Sequence, residues 1–527
     1  MNPPVFAAGT HTFFASIAVN AADELAIGFS ASAPTIFPSS AYTTRAAADP
    51  SGFTSGSTLL RSGIDSYIRT FDSPPCSASP ARNRWGDYSG TSVDPTNDQC
   101  FWIYNEHAIS TGTGTFGNCN GRPMTEDGRW GTAFGEACTC SATKALTTGV
   151  WSQISIACDP GSADTVADVF GDDLSGTYDT DWVVYRRDEA TTSYVKLATT
   201  DSLAVGEGYW IKSNIAAQSV SLASATNVLT DIPLTGVVAA RPAGCADSAG
   251  QCNKVGHPHN FDVCWADVLV DDGGVLKNLA TVDPSGSCQT NGVGCIMSRS
   301  AHKWTGSGYA PFDGTTPGME GTLVPWDGFW VSANKADIEL RVPATPGGPG
   351  LPCGAPARIA RGGVGDPAIY GTGRPSTPWF IRLSVRSGDL EDSTNVFGQL
   401  PSSRYRYDSH DLRELDPFGD EYLTVVFPHP EWGKHAGNYA SDYHRVQKKR
   451  ISGKWHFEIR SSANGRATLR WEGPKSLLRR SILIDNDRGK KIKVRKANGG
   501  YGFVLDSPSR SFTWHIKGAK PVASGVP

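Results

Sequence analysis

The chain of 527 residues holds 58 Gly and 34 Pro, while charged side chains make up only 19%, against about 25% in average soluble proteins. This balance favours turn-rich β structure over coiled coils and helical bundles, in about three or four domains. The net charge of -4 hides a polarity: after Cys353 there are 29 Lys+Arg and 17 Asp+Glu, and before it 19 and 35. A basic end suits an anionic partner, or else both ends are simply solvated faces.

Residues 1–145 read as short β runs between Ser/Thr/Gly/Pro clusters: SIAVN (16–20), LAIGFSAS (25–32), TSVDP (91–95) and CFWIYNE (100–106). Such runs predict strand, turn and strand in succession. The stretch RWGDYSGTSVDPTNDQCFWIYNEHA (84–108), preceded by IAVNAADELAIGFSAS, resembles terminal blades of secreted bacterial β-propellers of the BNR/sialidase-like type. The resemblance covers about 130 residues, enough for two or three blades where a closed propeller needs at least four. It implies a partial propeller. TEDGRW (125–130) approximates an Asp-box, one residue short before Trp130.

From Trp151 to Pro343 the chain repeats itself. LAVGEGYWIKS (203–213) aligns without gaps on LVPWDGFWVSA (323–333), and TVADVF (165–170) finds an echo in CWADVL (264–269). Each copy predicts a glycine turn leading into an aromatic strand, with VVYRR (183–187) or HKWTG (302–306) as its pairing partner. The copies are expected at 146–235 and 236–343, the second enlarged by CQTNGVGC (288–295), a loop expected to be pinned by a disulfide. The unit is similar to modules that follow propellers and proteases in secreted bacterial proteins.

Residues 344–376 have the Pro/Gly composition of a linker. Beyond it, at 377–520, alternation is strict in WHFEIR (455–460), RATLRW (466–471), KKIKVR (490–495), YGFVL (501–505) and SFTWHIK (511–517). One phase, from Trp455, Phe457 and Ile459 through Phe512, Trp514 and Ile516, predicts an inner face. The opposite phase carries Arg460, Arg466, Arg470, Lys491, Lys493, Arg495 and Lys517, expected on one positive outer surface. This order of motifs resembles C-terminal immunoglobulin-like sandwiches of exported bacterial proteins, and YLTVVFPHPEWGKHAGNYASDYH (422–444) belongs to the same type of region.

The twelve cysteines all precede residue 354 and include no CxxC, so disulfides and export are expected rather than zinc knuckles. The N-terminus lacks the basic and apolar regions of a signal peptide, which suggests that one was removed or that the chain is a fragment. No stretch of 18 apolar residues is present, so the chain is not expected to span a membrane.

Signatures for nucleophilic or cofactor chemistry are largely missing. GTGTFG (112–117) satisfies GxGxxG but lacks the strand-to-helix setting that a phosphate loop requires. A sialidase-like site would draw on Arg84, Asp87, Tyr88, Glu106 and His107, although such groups normally come from several blades; the alternative is a blade turn in which Asp87 binds backbone amides. His429, Glu431, His435, Asp442 and His444 have the donor types for zinc, as do His257 and His259, while Asp271, Asp272 and Asp485–Asp487 suit calcium; turn and hydrogen-bonding roles compete with each. No cofactor is required, with Ca or Zn as the options. The expected role is a secreted or cell-surface, non-catalytic attachment protein contacting glycans or anionic envelope surfaces, without sequence-specific nucleic-acid binding. The alternative is a secreted hydrolase, glycosidase-like or metal-dependent.

Overall fold

A computed structural model gives the architecture. It describes residues 9–47 (without 22), 52, 54, 57–67, 85–95, 100–112, 118–119, 122–123, 128–138, 143–160, 163–189, 193–222, 231–234, 251–284, 288, 295–343, 378–446 (without 420) and 451–519 (without 498). The protein is mainly β, and its few helices span single short turns. Two compact units emerge, one drawn from Met1–Lys144, Ala157–Asp173 and Val220–Val228, the other from Ala145–Ile156, Leu174–Ser219 and Leu229–Pro527.

In the first unit an antiparallel sheet runs in the order His11–Val19, Leu25–Ala33, Ile36–Arg45, Thr58–Arg61. A second contains Gly90–Val93, Cys100–Ile109 and Arg129–Cys138. Alternating apolar residues from both meet in one core of Ala26, Tyr42, Phe101, Ile103 and Ala137. The sheets approach so closely that a Cβ at Gly28 would lie 2.6 Å from the Ile103 side chain, so glycine is required there by contact. The TVADVF segment forms the helix Val166–Phe170, whose N-terminus is closed by a reciprocal cap between Thr165 and Asp168.

In the second unit the repeat takes shape as two sheets of identical order. The first runs Ser152–Ser155, Gly208–Ser213, Trp182–Asp188, Ser193–Lys196; the second runs Gln251–Gly256, Gly328–Ala333, Ala301–Trp304, Tyr309–Phe312. Trp210 lies between Gln153 and Tyr185 in its sheet, and Trp330 lies between Lys254 and His302 in the other. The sheets are joined by bridges Ile154 to Asp327 and Glu207 to Val255. These are one contact read in both directions, since Glu207 and Asp327 occupy the same place in the aligned segments. The two copies therefore face each other about a local two-fold, burying a shared aromatic layer that neither sheet could bury alone. The CWADVL echo forms a 3-10 turn, Trp265–Asp267, and Cys288 is bonded to Cys295. Cys100, Cys158, Cys252 and Cys264 are also disulfide-bonded.

The same unit contains a two-sheet sandwich. Its five-stranded sheet runs Ser441–Arg445, Leu390–Leu400, Trp379–Ser387, Gly465–Glu472, Gly500–Leu505. Its six-stranded sheet runs Gly437–Tyr439, Leu423–His429, Ile451–Ser461, Ser509–Ala519, Ser481–Asp485, Lys490–Lys493. The pairing of Leu390–Leu400 with Ser441–Arg445 is parallel. Both sheets send every second residue into one core, including Trp379, Leu383, Leu469 and Trp471 from one and Trp455, Phe457, Trp514 and Ile516 from the other. The residues of the expected inner phase all pack there, with Ile492 and Tyr501 half-buried at its margin. The loop between Leu390–Leu400 and Leu423–His429 lays Phe418 flat on Trp210, with ring centroids 4.2 Å apart.

Candidate functional site

Alternation decides whether a side chain points in or out, but it leaves open which sheet a strand joins, and here the structure departs from a single basic surface. Arg466 and Arg470 lie on the outside of the five-stranded sheet, whereas Arg460, Lys491, Lys493 and Lys517 lie on the outside of the six-stranded sheet. In a sandwich those two outsides face opposite ways. Arg495 sits on a 3-10 turn, Val494–Lys496, where the strand has ended. Arg460 is engaged, holding Glu458 at 2.8 Å and Asn438 at 3.2 Å.

The six-stranded face is nevertheless the more positive, through residues that the motif-by-motif reading passed over. Register lines Lys493, Ile482, His515 and Lys454 into one row across four strands, and Lys491, Ile484, Thr513 and His456 into the next. Among the described residues no ion pair joins Lys454, Lys491, Lys493 or Lys517 to a carboxylate, and all four are exposed. Burial lowers the His515 imidazole, and the neighbouring Lys517 and Lys454 charges lower it further. The signal for Lys454 and His456 was present in sequence, because they alternate with Trp455 and Phe457.

Of the histidine group, the fold assembles part. Asp442, almost fully buried, lies between two imidazoles: His429 Nε2 is 3.5 Å from Oδ2 and His444 Nε2 is 3.3 Å from Oδ1. Glu431 accepts from His429 Nδ1 at 2.9 Å, and the His429 ring stacks on Trp432 at 3.6 Å. His435 instead stacks on Tyr407 at 4.1 Å. Burial alone would lower His429, but Asp442 and Glu431 reverse this and raise it. Burial alone would raise the Asp442 carboxyl, yet His429 and His444 hold it well below the usual range. The two imidazoles address different oxygens of one carboxylate, which makes a carboxylate–imidazole cluster; its donor atoms do not converge as a zinc site requires. Among the described residues the convergent donor set is Asp283 with Cys288 and Cys295, whose sulfurs are joined in a disulfide and unavailable as thiolate ligands.

The remaining candidates fall into structural surroundings. Arg84 lies outside the described residues, as do 113–117 of GTGTFG and 125–127 of TEDGRW. Glu106, 1% exposed, accepts the Gly86 N–H at 2.8 Å, so this carboxylate clasps the turn. Burial, the largest influence, raises its pKa. Tyr88 is exposed and stacks on Trp130. His257 and His259 are core residues bonding the Phe261 and Val342 carbonyls; burial lowers them to about 3 and about 4. Asp272 is paired with Lys277 and Lys335, and Asp485 with Arg510, while Asp487 accepts the Ser511 N–H. No helix among the described residues is long and apolar enough to cross a membrane.

The chain matches no protein-family description, no curated protein and no solved structure at a significant level. Function is therefore argued from chemistry.

Proposed function

We propose that the protein is a surface-attachment module that binds anionic polysaccharide through the outer face of its six-stranded sheet. The observation that carries this reading is the array of Lys454, Lys491, Lys493 and Lys517 with His456 and His515 between them, whose ammonium groups have no carboxylate partners among the described residues. Cations spaced in rows across a sheet match the repeating charges of a sulfated or carboxylated chain, and attraction from several of them adds in a salt-dependent manner. The rings that base stacking would need point into the core, which favours polysaccharide over single-stranded nucleic acid. Disulfide bonds support an exported, cell-surface setting.

Propeller-blade ancestry for residues 1–145 and immunoglobulin-like character for 377–520 belong to the same proposal. They are supported by stacked antiparallel sheets in the former and by a two-sheet sandwich with a common core in the latter. The test is elution from heparin: the triple variant Lys454→Glu, Lys491→Glu, Lys493→Glu leaves the column at markedly lower salt than the native chain. Equal elution of the two would refute the assignment.

A further inference from the structure

A second, unrelated chemistry is built where the loop that joins the two sheets of the sandwich, between Leu390–Leu400 and Leu423–His429, meets the second repeat. Ser402 is exposed, and its Oγ lies 3.0 Å from His410 Nε2. The other ring nitrogen, His410 Nδ1, lies 3.2 Å from Thr316 Oγ1. Thr316 Oγ1 in turn donates to Asp313 Oδ2 at 2.8 Å. Asp313 is 1% exposed, is paired with Arg299 at 2.8 Å, and also accepts the Thr315 and Thr316 amides. Burial alone would raise that carboxyl, but Arg299 and these donors hold it below its ordinary value, so it is an acceptor only.

The direction of the chain of bonds follows. An ionised Asp313 accepts the hydrogen bond of the Thr316 hydroxyl, which leaves a Thr316 lone pair to accept a hydrogen bond from the His410 Nδ1–H. The neutral ring then carries its free lone pair on Nε2, facing Ser402. The loop is rigidly framed for this: Asp408 accepts the Arg404 and His410 amides, Asp411 accepts those of Asp408 and Tyr443, and Ser441 donates to the His410 carbonyl. Sequence spacing gave no hint, since Thr316 and His410 are 94 residues apart.

We infer that Ser402 and His410 are a nucleophile and its general base for hydrolysis of carboxylic esters, with Thr316 and Asp313 as positioning residues. Ser402 Oγ bonds to the ester carbonyl carbon while its proton passes to Nε2. Collapse of the adduct breaks the bond to the alkoxy oxygen, which leaves as the alcohol with that proton. Water then attacks the acyl-serine, gives a proton to Nε2, and Ser402 departs with it, so that ester and water become acid and alcohol. The groups lie apart from the lysine face and the inference does not depend on polysaccharide binding.

The test uses the whole chain with a fluorophosphonate probe and with p-nitrophenyl acetate. Peptide mass spectrometry is expected to place the probe on Ser402, with fluoride displaced from phosphorus. His410→Gln is expected to slow labelling and ester turnover by about 100-fold, and Ser402→Ala to abolish both. Burial lowers His410, Asp408 and Asp313 oppose this, and Arg299 adds to it, so the native rate climbs with pH below about 6.5 and is level at neutrality. Thr316→Val is expected to cut the plateau about tenfold and shift that midpoint, with Thr316→Ser restoring both, a pattern that a fold-only role would not produce. An unmodified Ser402, or labelling that is equally fast in His410→Gln, overturns the inference.

Discussion

Two sets of cations, one in the repeat pair and one on the six-stranded sheet, meet opposite surroundings. In the repeat pair one set is buried: Lys254 Nζ lies 3.8 Å from the Trp210 ring centre with no hydrogen-bond partner, and Arg187 lies 4.9 Å over Trp330 while paired with Glu189. Arg299 is closed in against Asp313. On the six-stranded sheet the lysines stand in water without carboxylates beside them. A charge taken out of water requires a ring or a carboxylate to replace hydration, so the first set serves the architecture. The second set has no such duty, which is why function is assigned to it.

The repeat copies sharpen the point. Gln153 and Lys254 hold the same place opposite Trp210 and Trp330, so one copy meets with a neutral amide what the other meets with an amine. Burial pushes the Lys254 ammonium well below its ordinary pKa; Arg187 adds to that and Glu189 opposes it.

The largest effect is expected from breaking a buried pair. Asp313→Ala leaves Arg299 enclosed without its carboxylate and is expected to lower unfolding free energy in urea by about 3–5 kcal/mol. A loss under about 1 kcal/mol would mean that this cation is not structural. Trp330→Ala, which opens the layer shared by the two copies, is expected to cost about 3–5 kcal/mol as well. By contrast Lys254→Met, which swaps an amine for an apolar chain of similar length, is expected to stabilise by about 1 kcal/mol in the same assay; destabilisation of that size would show that the cation itself is needed.

Smaller effects follow from pH. His429 is raised in the folded protein, so its contribution is complete below its unfolded value of about 6.5 and is lost as pH climbs through the folded one. Asp442 is lowered, so its contribution holds above about 4 and is lost as acid protonates it. Thermal stability should therefore have a component that is greatest between these limits, and His429→Gln should remove its decline above neutrality; an unchanged profile would deny the pair any energetic weight. Smallest of all on stability is reversal of Lys491 and Lys493, expected within about 0.5 kcal/mol.

Much of this was legible in sequence because it depends on period and repetition. The alternation through Trp455, Phe457, Phe512 and Trp514 located the sandwich core, and the match of 203–213 to 323–333 located the paired tryptophans. Phase could not reveal that Arg466 and Lys491 belong to sheets facing opposite ways, since that depends on strand order across the whole sandwich. Nor could composition tell that His429 and His444 would converge on one carboxylate, while His435 turned to Tyr407. Donor types were readable, but their meeting point was a property of the folded loops.

The assignment of the lysine face is tested most directly by the salt dependence of heparin affinity, compared between reversal of Lys454, Lys491 and Lys493 and reversal of Arg466 and Arg470 on the opposite sheet. Loss of affinity with a salt slope shallower by about one for each lysine contact removed, and little change from the arginine pair, is the predicted result. Equal losses from the two faces would contradict it, showing that net charge rather than the six-stranded sheet governs binding.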